Sequence, residues 1–440
     1  MNVDVVVPVS AGFAASLPCL WASLHLRRKQ RLLHDLPTSK AHGVFIGLVE
    51  LKGSAECEAP LTSHLAASPC VHYAWRVEEH WSRTVVETCT DKDGKRRTRT
   101  RRESGWTTVA QGGESTLFYL RDDTGAVRVD PRGAKIEPHT LFDRTVSRGE
   151  PLYYEKGPAG AVAHSDHRRR FVETGVPLHA PLYVVGQARE RHDVVAPEIA
   201  ADGNAAIFLI STRAEEHVQS GYAGWSWFWW AVGLAALGAG AWFSANTGDA
   251  LLSTPHIAGL AAAGLGVYLL VWGACWVWMV YNSLVGLRER VRQGWSLIDV
   301  QLKRRNDLLP NLATAISGLS GHERETQRAL AVLRAQRQAT APGVSGPDYD
   351  GVASELRAVV ETYPQLVAQE GFAALQGELV STEQRIALAR SYYNDIATQW
   401  ATRLERVPDR WVARLGSMRP EPLLAAAHFE RAAVEVTFAR

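Results

Sequence analysis

Trp225-Ser226-Trp227-Phe228-Trp229-Trp230-Ala231-Val232-Gly233-Leu234, answered downstream by Trp272-Gly273-Ala274-Cys275-Trp276-Val277-Trp278, decides how this chain is read. Between Glu216 and Arg288 the only Asp, Glu, Lys or Arg is Asp249, and eight of the fifteen Trp fall there. A transmembrane helix needs about 20 apolar residues to cross roughly 30 Å of hydrocarbon. The stretch has room for two, at residues 227–245 and 257–280, with a turn at 246–255. The competing reading is a buried hairpin in a soluble core, but Trp at both ends suits interfacial aromatic belts. Gly233, Gly238 and Gly240 on the first helix, and Gly259, Ala263, Gly264 and Gly266 on the second, offer small surfaces for close helix packing.

Working outward, residues 5–26 are free of charge and are followed at once by Arg27, Arg28, Lys29 and Arg31. A secretory signal carries its positive charge before the apolar run, so this segment reads as an uncleaved anchor, although Pro8 and Pro18 interrupt it. Arginines also follow the last apolar run, at Arg288, Arg290 and Arg292. The positive-inside tendency then puts the N-terminus outside, residues 27–220 inside, the short turn outside and residues 281–440 inside. A two-span hairpin places both polar parts on one face. The whole chain has 48 Lys and Arg against 46 Asp and Glu, a formal +2, which argues against a nucleic-acid binder. Five scattered cysteines make no disulfide framework.

From 43 to 213 the pattern is of short runs rich in Val, Thr and aromatics. Residues 44–51, 72–77, 116–120, 126–129, 181–186 and 206–210 read as strands. Asp93-Gly94, Gly112-Gly113, Thr124-Gly125 and Arg132-Gly133 read as turns between them. A small antiparallel β domain, sandwich or partly open barrel, is expected. Asp35-Leu36-Pro37-Thr38-Ser39-Lys40 leading into residues 43–53, with Pro60-Leu61-Thr62-Ser63, Pro69-Cys70-Val71, Leu182-Tyr183-Val184-Val185-Gly186 and Ile210-Ser211-Thr212, resembles the GIDE-type domain of a membrane-embedded ubiquitin ligase family. The resemblance covers residues 30–215. It implies ligase activity only beside a RING domain, whose zinc needs closely spaced Cys and His pairs; the chain contains no Cys-x-x-Cys.

Other chemistry in this part is thin. Cys57, His64, Cys70 and His72 match no ligand spacing, and no metal is expected. His164, Asp166 and His167 sit beside Arg168, Arg169 and Arg170 and read as a solvated loop; with Cys70 they are the least unsuitable candidates for an enzyme. Residues 92–102 hold seven Lys or Arg and one Asp. This hairpin is expected to be solvated, or to lean through Arg96, Arg97, Arg99, Arg101 and Arg102 on anionic headgroups at about 1 kcal/mol per residue.

Past the last span the apolar positions Leu284, Leu287, Val291, Trp295, Ile298 and Leu302 keep helical spacing. The spanning helix is expected to run straight out of the membrane, with Pro310 marking a kink or break. Further helices are read at 311–338, 352–362 and 370–406, with a loop at 340–347. Such one-sided helices suit an antiparallel bundle with coiled-coil packing. Tyr281-Asn282-Ser283-Leu284-Val285, then residues 295–312 with Asp299, Gln301, Lys303, Arg304, Arg305, Asp307, Pro310 and Asn311, and the later Ser391-Tyr392-Tyr393-Asn394-Asp395, resemble the LemA family over residues 278–440. The resemblance implies a membrane-anchored helical bundle in a bacterial family with no established catalytic activity. The tail around Trp411, Leu415 and Met418 reads equally as a packed or an interfacial helix.

The fold class expected is therefore a multidomain membrane protein: an anchor at 5–26, a GIDE-type domain at 30–215, transmembrane helices at 227–245 and 257–280, and a LemA-type bundle at 281–440. No Walker loop, hydrolase elbow or di-metal pair occurs, so no cofactor and no enzyme activity are expected. The leading expectation is an oligomeric scaffold or membrane-organising platform in a bacterial inner membrane. Its partners would be membrane lipids, further copies of itself and proteins on the cytoplasmic face, with no nucleic acid. The alternative is a sensor whose β domain binds a peptide, lipid or small ligand and signals to the bundle.

Overall fold

The computed structural model describes residues 3–90, 96–191, 193, 196–203, 205, 207–247, 254–317 and 370–424. It divides into two compact units, a helical one made of Met1–Pro37 and Gln219–Arg440, and a β-rich one, Thr38–Val218. Residues 30–37, expected in the β domain, thus belong to the helical unit.

The helical unit contains α1 (Val3–His34), α3 (Glu215–Thr247) from Gln219 onward, α4 (Thr254–Ser317), α5 (Glu370–Glu405) and α6 (Asp409–Leu415); α2 (Pro151–Glu155) lies in the β unit. By length and composition the segments Val9–His34 and Ala261–Arg305 are apolar enough to cross a membrane. The 227–245 segment of α3 carries no Asp, Glu, Lys or Arg but is not among them. The three helices pack on one another through small and polar groups. Ser23 Oγ donates to the Ser226 carbonyl at 2.8 Å, and the Tyr268 hydroxyl to that of Trp230 at 3.2 Å. A Cβ on Gly12 would lie 3.1 Å from Gly240 Cα, and one on Gly233 would meet Tyr268. Gly238, Gly259, Gly264 and Gly266 face open space, which corrects their expected packing role.

Helix α4 is a single element of 64 residues, on the order of 96 Å long. It runs unbroken through Pro310, so the expected break does not occur there. A proline costs a helix one hydrogen bond, and here that loss does not end the helix. Beyond the apolar half, Leu284, Leu287, Val291 and Ile298 are buried, as are Leu379, Ile386, Ala389, Tyr393, Ile396 and Trp400 of α5. Trp295 meets Tyr393 edge to face at 5.4 Å, and Arg305 pairs with Glu383 at 3.6 Å. Rising numbers on α4 meet falling numbers on α5, so the two run antiparallel. Residues 311–317, expected to begin a separate helix at 311–338, continue α4; the rest of that helix, the loop expected at 340–347 and the helix expected at 352–362 lie outside the described residues, which show an antiparallel pair with α6 and not a full bundle.

The β unit has two sheets. In the first, β2 (Gly47–Glu56), β6 (Phe118–Arg121), β7 (Ala126–Val129), β12 (Pro197–Ala200) and β11 (Pro181–Glu190) pair in turn, and β11 pairs back to β2, closing a small barrel. β1 (Thr38–Ser39), β8 (Lys135–Glu137) and β13 (Leu209–Ser211) extend it. β1–β2, β7–β12 and β8–β13 are parallel, so the sheet is mixed where an antiparallel one was expected. Alternate residues Leu51, Phe118, Leu120, Val127, Val129, Val184 and Ile199 fill the barrel. In the second sheet β3 (Leu61–Thr62), β4 (Pro69–Thr90), β10 (Ser165–Pro177) and β9 (His139–Ser147) follow one another, and β5 (Arg96–Ser115) pairs with β4.

The β4–β5 hairpin pairs from His72↔Ser115 out to Thr90↔Arg96. Arg96, Arg97, Arg99, Arg101 and Arg102 therefore lie on a strand, and the tip proper, 91–95, is outside the described residues. Gly112 and Gly113, expected as a turn, sit inside β5. The reason is steric: a Cβ on Gly112 would stand 3.0 Å from the Trp75 ring on the neighbouring strand. Thr124-Gly125 is a turn as expected, with Asp122 Oδ1 accepting from both backbone amides at 2.7 and 3.0 Å. Asp93-Gly94 is outside the described residues.

Candidate functional site

In the helical unit the polar groups of four helices converge just beyond the first apolar run. Asp35, the residue after α1, is 4% exposed. Its carboxylate accepts from Ser283 Oγ of α4 at 2.6 Å and from the Arg403 guanidinium of α5, and its carbonyl accepts from Arg290 Nη1 at 3.0 Å. Arg403 Nε donates to Asp409 Oδ2 of α6 at 2.5 Å, and Arg31 of α1 reaches Asp409 Oδ1 at 3.4 Å. The result is an alternating chain, Arg31, Asp409, Arg403, Asp35, in which each carboxylate touches a cation. Buried charges hold only when paired in this way. Burial pushes the Asp35 carboxyl up, but the His34 hydrogen bond, the Arg403 charge and the Ser283 hydroxyl outweigh it and hold it below the usual range.

None of these residues was singled out in the sequence for chemistry, because the cluster is assembled from positions hundreds of residues apart. The LemA-type residues fall elsewhere. Tyr393 is buried, and its hydroxyl donates to the Pro422 carbonyl at 2.9 Å. Asn394 exchanges two hydrogen bonds of 2.9 Å with the Leu424 backbone, and Trp400 Nε1 donates to the Arg419 carbonyl at 2.9 Å. These side chains clamp an extended tail along α5. Asn282 bonds the Trp278 carbonyl of its own helix, Gln301 and Arg305 are buried, and Lys303, Arg304, Asp307 and Asp395 are exposed. Tyr281 and Asp299 are at least partly exposed. The side chains of Pro310 and Asn311 lie outside the described set. In α6, Val412 and Ala413 are buried while Trp411 and Leu415 are exposed, so the helix packs by one face and offers the other.

The β unit disperses the residues grouped in the sequence. Cys57 bonds the Leu117 carbonyl at 3.5 Å, His64 stacks on Trp75, and His72 Nδ1 lies 2.7 Å from Ser115 Oγ. Cys70 is buried, and its thiol is pushed up to about 11 by burial and by Glu173. It stays protonated at neutral pH, unlike a catalytic thiolate. Among the described residues no three His, Cys, Asp or Glu gather as a metal site. Asp166 and His167, expected in a solvated loop beside Arg168, Arg169 and Arg170, lie with them on β10, where Arg169 is buried against Glu79 at 3.1 Å. Asp166 instead bonds His80 Nδ1 at 2.6 Å and Ser82 Oγ at 3.0 Å. His167 Nδ1 lies 3.4 Å from the Tyr153 hydroxyl.

One further acid is perturbed. Glu50 is 1% exposed and accepts from Thr38 Oγ1 and the Tyr183 hydroxyl, both at 2.8 Å. Burial, helped by the Glu215 charge, outweighs those bonds and pushes it from 4.5 up to about 7. A raised folded value means the folded state keeps a proton that the unfolded chain has lost. Its contribution to stability therefore falls as pH rises from about 4.5 to about 7, by roughly 3 kcal/mol in total. Glu50→Gln, which is always neutral, is expected to flatten the decline in melting temperature between pH 5 and 8. Scanning fluorimetry of both full-length proteins checks this, and equal slopes would remove the assignment.

Residues 294–438 match the family model described as LemA family. Residues 86–243 match the GIDE model, described as E3 Ubiquitin ligase. The chain thus carries one segment similar to the GIDE model and one similar to the LemA model, the pair that the residues suggested. The GIDE match begins within β4 and reaches into α3, further along the chain than the expected 30–215. Its description is that of an enzyme, which stands against the expectation of no catalytic activity. No curated protein matches the chain. With two apolar helices beside them, the two matches speak for a membrane-associated protein.

Proposed function

We propose that this chain, a GIDE segment joined to a LemA segment, is a non-enzymatic integral membrane protein that acts as an oligomeric scaffold or membrane-organising platform. In this reading α1, α3 and α4 span a bacterial inner membrane and both polar parts lie on its cytoplasmic face. The basic groups that follow the first and last apolar runs support that orientation. The observation that carries the proposal is the unbroken α4, whose apolar half is continuous with a polar half packed on α5. A single long helix transmits position from the bilayer to the bundle without a hinge, which suits a platform better than a tethered catalyst. Exposed apolar groups on it, Leu270 and Trp278 at 71% and 72%, offer surface to lipid or to further copies. The absence of Cys-x-x-Cys leaves the ligase chemistry of the GIDE name without its zinc ligands. Amine-reactive crosslinking in native membranes at native expression is expected to give species of dimer mass and above. Monomer alone would overturn the scaffold reading.

A further inference from the structure

Beside the ion cluster lies a cleft of about 310 Å³, lined by Arg27, Arg31 and His34 along α1 and by Arg403, Arg406 and Asp409 at the junction of α5 and α6. We infer that this cleft binds the phosphate of an anionic lipid headgroup.

The first argument is charge. Four guanidinium groups line the cleft with one carboxylate, and both oxygens of that carboxylate, Asp409, are already engaged by Arg31 and Arg403. Arg27 gives its Nε to a neutral hydroxyl, Ser226 Oγ, at 3.0 Å. Arg406 is exposed and has no carboxylate partner among the described residues. Like charges gathered in a half-closed cleft repel one another unless an anion joins them. The second argument is an unmet donor. Arg403 is 6% exposed, yet its Nη2 has no hydrogen-bond partner among the described residues. A buried guanidinium nitrogen left in this way is costly, and a phosphate oxygen in the cleft would satisfy it in the geometry that arginine favours.

Position argues for lipid over soluble phosphate. Arg27 and Arg31 stand one helical turn apart immediately after the charge-free run of α1, and they lie over Trp227 and Trp276 at 4.2 and 5.8 Å. Trp at that level marks the bilayer interface. On α6 the exposed Trp411 and Leu415 extend apolar surface next to the cleft residue Asp409, where acyl chains would run. Basic pockets at such levels hold anionic headgroups. The inference rests on the membrane association in the proposed function but not on oligomerisation.

The test is native mass spectrometry of the full-length protein released from neutral detergent with added phosphatidylglycerol, phosphatidylcholine or inorganic phosphate. The parent is expected to retain phosphatidylglycerol and not phosphatidylcholine. Arg406→Ser is expected to weaken that retention about fivefold, and Arg31→Gln with Arg406→Ser about 25-fold. Arg406 is exposed and outside the buried ion pairs, so its variant keeps the fold even if the double variant does not. Equal retention of the two lipids, unchanged retention by Arg406→Ser, or displacement of the lipid by equimolar inorganic phosphate would overturn the inference. Failure of the scaffold reading would show instead in crosslinking, with lipid selectivity intact.

Discussion

Replacing Glu79 by Ala is expected to destabilise the β unit by about 3–5 kcal/mol, and Arg169→Ala by a similar amount, because either change strands a buried charge. Glu79 is 0% and Arg169 1% exposed. Arg169 engages Glu79 Oε2 through Nε and Nη2 at 3.2 and 3.1 Å. It also donates to the carbonyls of Tyr153, Pro158 and Gly160 at 2.9, 2.8 and 2.7 Å, and its guanidinium stacks 3.9 Å from the Tyr153 ring. The other oxygen of Glu79 accepts from Ser165 Oγ at 2.5 Å and from the Tyr153 hydroxyl at 3.2 Å. Every strong donor and acceptor is matched, so the pair ties β4, β10 and α2 together at one point. Replacing both partners with apolar groups removes the stranded charge, so Glu79→Leu with Arg169→Met should cost less than the two single losses combined. Urea unfolding of the full-length protein, followed by circular dichroism in the β region, reads the difference. A single loss below about 1 kcal/mol would fit an exposed pair and contradict the burial.

That pair also shows where the sequence stops being legible. Ala126-Val127-Arg128-Val129 alternates apolar and polar, and the strand it predicts is β7 with the same bounds. Along Arg168-Arg169-Arg170 only the burial alternates, and three like charges conceal that the middle one points inward, since its partner Glu79 lies 90 residues away. The strand β5 was hidden for another reason. Its glycines lower strand propensity and its run of arginines hides the apolar alternation, and it holds because it pairs along β4 and its glycines leave room for Trp75 and Trp81. Long helices were the easiest part to read, because each carries its own repeating apolar stripe. The ion cluster at Asp35 was the hardest, since Asp35, Ser283, Arg403 and Asp409 acquire meaning only when the ends of α1, α5 and α6 meet the middle of α4. Asp35 opens the stretch whose residues resemble the β domain, yet its partners all belong to the helical unit.

Asp35→Ala is expected to destabilise the helical unit by about 3–5 kcal/mol, since it leaves Arg403 with one carboxylate where it had two. The Ser283 hydroxyl would lose its acceptor at 2.6 Å as well. The loss should concentrate where α1 meets the end of α5 and α6, because Asp409 alone would then have to hold both Arg31 and Arg403. Amide hydrogen exchange over residues 400–415 is the direct readout, with faster exchange expected in the variant and little change across the barrel strands. The pH dependence separates charge from packing. The Asp35 carboxyl sits below its ordinary 3.8 in the folded state, so its stabilisation is complete above the unfolded value and is lost as pH falls through the lower folded one. Asp35→Asn keeps the shape but cannot ionise. It should therefore be less stable than the parent at neutral pH and approach it in acid below both values. A constant gap between Asn variant and parent from neutral to strongly acid pH would mean that Asp35 acts through packing alone, and that the joint between α1 and the helices it meets is not held by charge.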